Sequence, residues 1–175
     1  MALENKVSTV ALINAEVSEV WDALINPAKI KEYLYGVDAV SDWKPGSPIL
    51  FRGKWENEIF EDKALINVMD TNKCFGYSYW SPFFGTEDKP ENYLDYTFSL
   101  KNPANKGDAK RRFRRVLCGE NSEAPEASPL PGSRTTLALT CGNIRTEEML
   151  AKQQDGCEIF LKNIKAVVEN HASQK

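Results

Sequence analysis

The stretch that most constrains the fold is residues 146–171, the longest segment of the chain with helical periodicity. Six residues spaced by three or four positions fall on one face of this predicted helix: Met149, Gln153, Cys157, Phe160, Ile164 and Val168. A helix with such a long, largely apolar face needs a broad apolar surface to pack on. The strands that precede it must supply that surface.

Two residues of this segment are unusual for a face that only packs. Gln153 is polar, and Gly156 lies in the middle of the predicted helix, where glycine costs about 1 kcal/mol relative to alanine. They fit an ordinary contact between helix and sheet, with one satisfied amide and one close approach. They fit equally a face that lines a hollow.

Length and charge limit the class of protein. The 175 residues predict one domain with a sizeable core, and 42% hydrophobic with 27% charged residues is the composition of a globular protein. A net charge of −3 gives no reason to expect nucleic acid or an anionic membrane as partner. No apolar run approaches the roughly 20 residues of a membrane span, and residues 1–6 lack a signal core, which predicts a cytoplasmic protein.

The cysteine and histidine content argues against a metal centre. The only histidine is His171, which disfavours histidine-based triads and multi-histidine metal sites. The cysteines are far apart, form no CxxC pair and are predicted to be free thiols: Cys74, Cys118, Cys141 and Cys157. The sequence therefore predicts no metal site and no cofactor.

The N-terminal part of the chain predicts one strand and two short helices. The β-branched run at 7–13 is typical of a strand. Ser18 is a candidate N-cap for the first helix, and Asn26 followed by Pro27 starts the second. Gly36 is a natural stop for that second helix.

Alternating apolar residues then predict a run of strands at 49–55, 59–69, 75–80, 94–100 and 135–141. In the second of these, Ala64, Ile66 and Val68 are expected on one side and Leu65 and Met69 on the other. Strands followed by one long helix indicate an α+β fold with an antiparallel sheet, and the long helix is the large element available to cover it.

Five segments make the chain resemble a known family. They are AEVSEVWDAL at 15–24, DWKPGS at 42–47, YSYWSP at 77–82, DKPENY at 88–93 and GSRTTL at 132–137. With them the chain resembles the SRPBCC superfamily (START-like, Bet v 1-like). Within it, the chain is similar to the activator of Hsp90 ATPase homologue 1-like family. The resemblance implies a helix-grip fold, in which a curved antiparallel sheet wraps around the C-terminal helix and two short helices follow the first strand. It also implies a cavity between sheet and helix.

One departure from the family lies in the long helix. Members often carry Gly-Trp where this chain has Gly156-Cys157. A thiol is much smaller than an indole, so we expect a roomier interior near Cys157.

The second departure is an atypical insert at about 103–131, which interrupts a predicted hairpin. Its six basic and four acidic residues give a charge of +2, with the basic residues concentrated at 110–115 around Phe113. Such a cluster either touches phosphates or is a solvated face. Residues 111–117 are expected to extend the hairpin, and the proline-containing stretch 119–131 to form a mobile loop.

Catalytic patterns are scarce. The chain has no glycine-rich phosphate loop, no GxSxG elbow and no metal-spaced set of ligands. The nearby acids Glu56, Glu58, Glu61 and Asp62 alternate between two faces of a strand, which indicates a solvated edge more than a paired acid and base. Cys74 and Cys157 are candidate nucleophiles, but neither has a histidine near it in the sequence to act as a base, and buried thiols are usually inert. No catalytic residue is predicted.

The predicted site is instead the wall of the implied cavity. Aromatic residues on the strands and side chains from the helix would face each other there: Phe51, Trp55, Phe75, Tyr77, Tyr79, Met149, Gln153, Cys157 and Phe160. A mostly apolar pocket with few polar groups is typical of a small-molecule site. The same aromatics fit an ordinary core slightly better than a cavity wall, and the family resemblance is what supports the cavity.

Three functions from different classes follow. The first is a binding protein for a small hydrophobic ligand held between sheet and helix. The second, by analogy with the Hsp90 activator, is an interaction module for an Hsp90-type chaperone, although fold analogy is a weak warrant for function. The third is a cyclase- or hydrolase-like enzyme, which requires ionisable groups facing the pocket. The chain is expected to act as a monomer or a homodimer.

Overall fold

The computed structural model describes residues 6–102 and 133–174. Its regular elements are β1 Val7–Ile13, α1 Val17–Ile25, α2 Pro27–Tyr33, β2 Asp38–Ser41, β3 Pro48–Trp55, β4 Glu58–Asp70, β5 Cys74–Trp80, β6 Leu94–Lys101, β7 Thr135–Gly142 and α3 Glu147–Ala172. Two short 3-10 helices, Pro82–Phe84 and Pro90–Asn92, lie between β5 and β6. The insert at 103–131, with its basic cluster, expected strand and expected loop, lies outside the described residues.

The strands form one curved antiparallel sheet in the order β1-β7-β6-β5-β4-β3-β2. All neighbouring strands run antiparallel, and the last strand pairs with the first, Ala11 facing Leu137. One face of the sheet packs against the three helices. The α+β, helix-grip prediction is confirmed, including the two short helices after the first strand. The strand β2 was not predicted, because its four residues, DAVS at 38–41, are too few to show alternation.

The helix starts follow local chemistry. Asn26 caps α2 by accepting a hydrogen bond from the Ala28 backbone N–H at 3.0 Å, as predicted. The predicted cap of α1 was wrong by two residues: Glu16, not Ser18, is its N-cap. The Glu19 carboxylate accepts a hydrogen bond from the Glu16 backbone N–H at 3.1 Å, which is half of a capping box.

A bulge in β4 changes which residues face the core. The register with β5 shifts between Ile66 and Val68, so the alternation reverses at Asn67. Met69 therefore packs against the core, and Val68 lies exposed on the outer face. The prediction that Val68 shares a side with Ile66 was wrong, because strict alternation cannot anticipate an inserted residue.

The long helix α3 begins after Thr146, whose hydroxyl accepts a hydrogen bond from the Met149 backbone N–H at 3.1 Å. Its fully buried residues are Cys157, Leu161, Ile164 and Val168. Gly156 is exposed, and a Cβ built on it would meet no atom within 4 Å. The close approach expected at Gly156 is therefore absent. Within the described ranges, no helix has the length and apolar character needed to cross a membrane.

Candidate ligand-binding cleft

A cleft of about 250 Å³ opens on the helix-covered face of the sheet. Strands β3 to β6, the segment after α2 and the middle of α3 contribute its walls. The lining residues are Leu34, Tyr35, Val37, Phe51, Phe60, Asp62, Tyr77, Tyr79, Tyr96 and Phe160. Nearly all are apolar or aromatic, and one is a carboxylate.

The strand side of the cleft is a continuous group of aromatic rings. The ring of Phe51 lies 6.2 Å from that of Tyr77 and 6.1 Å from that of Tyr79, measured between centroids. Tyr96 is 5.7 Å from Tyr77 and 5.8 Å from Tyr79. These separations fall in the range of favourable tilted and edge-to-face contacts. The rings therefore hold one another in place and give the cleft a preformed wall.

Asp62 is the buried charge of the site. It is 6% exposed, because it lies on the inner face of β4 between the apolar residues Phe60 and Ala64. Its Oδ2 accepts a hydrogen bond from the Tyr79 hydroxyl at 2.5 Å, and its Oδ1 accepts one from the Ser81 hydroxyl at 2.6 Å. Both donors are neutral hydroxyls. The expectation of a solvated edge holds for Glu56, Glu58 and Glu61, which are exposed, and was wrong for Asp62.

Ser81 is itself held by the turn that follows β5. Its hydroxyl accepts a hydrogen bond from the Phe83 backbone N–H at 3.3 Å and so caps the 3-10 helix that Pro82 begins. That cap fixes the hydroxyl beside Asp62. The YSYWSP segment thus supplies two aromatic walls, Tyr77 and Tyr79, and the serine that holds the carboxylate.

The tyrosine hydroxyls of the cleft remain protonated over a wide pH range. Burial raises the pKa of Tyr79 well above its usual value, and the neighbouring Asp62 carboxylate raises that pKa further. Burial is also the main reason why the pKa values of Tyr77 and Tyr96 are raised. Near neutral pH these groups act as hydrogen-bonding hydroxyls and not as bases.

The Tyr77 hydroxyl has no hydrogen-bond partner among the described residues, although the residue is 6% exposed. No described polar side-chain atom is both fully buried and unpaired, so this oxygen is not completely enclosed, and Tyr77 is one of the residues that line the cleft. Tyr96 differs, because its hydroxyl donates to Gln153 Oε1 at 2.7 Å. Gln153 therefore orients one wall of the cleft from the helix behind it.

Tyr35 stands at the rim of the cleft. It is 81% exposed, and its backbone has a φ of 54°, a left-handed conformation that is uncommon for a bulky side chain. The Asn163 side-chain amide donates to the Tyr35 hydroxyl at 2.9 Å, which ties the rim to α3.

The structure brings together four of the nine predicted lining residues: Phe51, Tyr77, Tyr79 and Phe160. Phe75 lines an adjoining small void of only about 10 Å³, which shares Phe51, Tyr77 and Phe160 with the cleft. Trp55 does not belong to the wall and is corrected here, because it lies 67% exposed where β3 ends, beyond the covering helices. Met149 and Gln153 are half-buried outside both spaces.

Cys157 lines neither the cleft nor the small void. It is buried next to Cys141, and the hydrogen bond between the two thiols together with burial raises the pKa of Cys141. The space expected beside Cys157 is thus not where the cleft lies. The cleft is one turn further along α3, at Phe160.

Sequence reasoning missed six lining residues: Leu34, Tyr35, Val37, Phe60, Asp62 and Tyr96. A signal existed for three of them. Phe60 and Asp62 alternate with the core residues Ala64 and Ile66 of the same strand, and Tyr96 lies between the core residues Leu94 and Phe98 on one face of β6. No local pattern marks the segment after α2. Its position over the sheet depends on how α2 packs.

Comparison with known proteins decides the family. The model of the family described as "Activator of Hsp90 ATPase homolog 1-like protein" matches residues 14–129 of the chain. The chain belongs to this family. A solution structure of a protein from Cytophaga hutchinsonii agrees, with 31% identity, 99% of each chain covered and a TM-score of 0.71.

More distant structures share the family fold. An Aha1 dimer from Colwellia psychrerythraea is 14% identical, with 94% of this chain and 96% of that chain covered and a TM-score of 0.60. An HSP90 activator from Plasmodium falciparum is 12% identical, with 93% and 95% covered and a TM-score of 0.61. At such identities the likeness shows the fold alone. None of the curated proteins compared with the chain matches it.

Proposed function

We propose that this member of the family binds a small, chiefly apolar ligand in the cleft between the sheet and α3. The observation that carries the proposal is the pairing of a preformed aromatic wall with two lining residues that bear polar groups, Asp62 with its carboxylate and Tyr77 with its unpaired hydroxyl. Ligand sites are typically apolar hollows with a few placed polar groups.

The size of the cleft limits the ligand. Its volume of about 250 Å³ lies just below the usual range of roughly 300–1,000 Å³ for pockets that hold drug-sized molecules. A ligand of one ring, or a short chain, fits better than a sterol or a long fatty acid.

Binding fits the lining better than acid–base catalysis. Asp62 is the sole carboxylate among the described lining residues, and two hydroxyls already occupy its oxygens. The other ionisable groups there are tyrosines, and those with a raised pKa are weak acids near neutral pH. A general acid and a general base would each need a pKa near the working pH.

A matched pair of variants tests the binding proposal. Val37→Trp fills the cleft from its rim, whereas Val40→Trp adds the same side chain three residues later on the exposed outer face of β2. Native mass spectrometry and NMR titration with a panel of small lipophilic compounds should show binding to the unaltered protein and to V40W, but not to V37W. Equal binding by all three proteins, or binding by none, would contradict the proposal.

A second candidate is an interaction with an Hsp90-type chaperone. It is favoured by membership in a family described by homology to an activator of the Hsp90 ATPase, and by the fold shared with an HSP90 activator. Purified protein would then be retained on immobilised Hsp90 in the presence of ATP and would raise its ATPase rate. Absence of both effects would count against this candidate and leave the cleft proposal untouched.

A further inference from the structure

The buried carboxylate also points to the class of ligand. We propose that the ligand of the cleft is a small amine, whose ammonium group binds Asp62 while its apolar body packs on the aromatic wall. This inference rests on the proposed binding function and specifies its ligand.

The first step concerns charge. Burying a carboxylate is costly unless a cation or several hydrogen bonds offset the loss of water. Among the described residues, Asp62 forms no ion pair, and its partners are the neutral hydroxyls of Tyr79 and Ser81. The buried site therefore has an acceptor of positive charge with no cation of its own.

The neighbours of Asp62 in β4 show the contrast. Glu61 pairs with Arg52 at 2.7 Å and Lys63 pairs with Asp88 at 2.7 Å, both on the opposite, solvent-facing side of the strand. Both of these outer charges of β4 therefore have a counterion in the chain. The inner charge between them does not, and the cleft is the open space beside it.

The second step concerns the walls. The faces of aromatic rings attract cations, and cages of such rings with a nearby carboxylate are well suited to ammonium groups. Here Phe51 and Tyr79, 6.1 Å apart, flank the cleft on either side of the strand that carries Asp62. Tyr77 adds a hydroxyl oxygen that is free to accept a hydrogen bond from an N–H group.

The third step excludes other ligand charges. A fatty acid or a phosphorylated ligand would place a second negative charge beside Asp62, and like charges at such short range repel. A neutral alcohol would meet the same aromatic wall without the charge attraction. The cleft should therefore rank ligands of one shape as amine first, alcohol second and carboxylate last.

The test uses three probes of nearly equal shape: 2-phenylethylamine, 2-phenylethanol and phenylacetate. Their affinities are measured at pH 7 by NMR titration of the full chain. We expect the amine to bind about tenfold more tightly than the alcohol, and phenylacetate to bind most weakly. Raised salt should reduce the difference in affinity between the amine and the alcohol only slightly, because the ion pair of the ammonium group with Asp62 is buried.

Two variants locate the effect. Asp62→Asn removes the buried charge and keeps the side-chain shape, so the preference for the amine over the alcohol should vanish. Glu61→Gln removes the same charge one residue away on the outer face and should leave the preference intact.

The outcomes separate this inference from the binding proposal. Equal affinity for amine and alcohol, or a preference that survives in D62N, overturns the amine inference, while alcohol binding still supports the cleft as a binding site. Failure of every probe to bind overturns both. If D62N does not fold, the comparison of amine with alcohol on the unaltered protein still decides the question.

Discussion

The Tyr79 hydroxyl lies 2.5 Å from Oδ2 of Asp62, and this hydrogen bond joins the aromatic wall of the cleft to its buried carboxylate. Ser81, two residues after Tyr79, donates to the other oxygen of the same carboxylate. One strand and the turn after it therefore both shape the cleft and supply two hydrogen bonds to its carboxylate.

Tyr79→Phe should destabilise the protein by about 1.5–3 kcal/mol, because it leaves a buried carboxylate oxygen without its donor. The free energy of unfolding is measured with urea. Tyr93→Phe is the matched control, since it removes a tyrosine hydrogen bond of 2.6 Å to Asp88 at the surface, where water can replace the donor. Equal losses in the two variants would show that burial of Asp62 does not matter.

Gly156→Ala should stabilise the protein by about 1 kcal/mol, because alanine is the better helix former and nothing lies within 4 Å of the new methyl group. Urea unfolding measures the gain. A loss of stability would mean that a neighbour packs on Gly156 after all. Ligand affinity should not change, since Gly156 does not line the cleft.

Gly53→Ala is the same substitution in a different setting. A Cβ there would lie 2.5 Å from the Phe60 ring and 3.0 Å from Val37 Cγ2, so the Phe60 ring, which lines the cleft together with Val37, must shift. We expect a loss of about 1 kcal/mol in stability, limited because the ring edge can shift, together with weaker ligand binding. Unchanged affinity, with G156A as reference, would show that Phe60 does not shape the site.

Stability should fall steeply above about pH 10. Four tyrosines have a raised pKa in the folded protein, mainly because the fold removes water from them: Tyr33, Tyr77, Tyr79 and Tyr96. Tyr33 and Tyr77 are buried, and Tyr79 and Tyr96 are half-buried. A raised folded pKa favours the protonated form, so the native state keeps its protons while the unfolded chain loses them. The contribution is complete below pH 10 and declines above it, by about 1.4 kcal/mol per tyrosine per pH unit.

Urea unfolding at pH 8 to 11 and tyrosinate absorbance measure this effect. Tyr77→Phe should reduce the alkaline loss by one tyrosine's share. Complete ionisation of the tyrosines near pH 10 in a protein that remains folded would contradict the prediction.

Local sequence patterns predicted the elements well where one residue type leads to one conformation. Asn26 before Pro27 starts a helix, as predicted, because a cap depends on nearby backbone groups alone. The bulge at Asn67 escaped prediction because a register shift depends on the partner strand. The lining of the cleft was predicted less accurately than the elements, because a cleft is formed by residues distant in sequence.

The sequence by itself determined the order of strands and helices, the antiparallel sheet, the long helix that covers it and the aromatic residues of β3 and β5. These follow from periodicity and local chemistry. Only the tertiary structure decided that Asp62 is buried without a cation, that Trp55 points to solvent and that the cleft opens at Phe160 and not at Cys157. Burial depends on which elements cover a given stretch of strand. In this fold the ends of the strands extend beyond the helices, and no local pattern records where that cover ends.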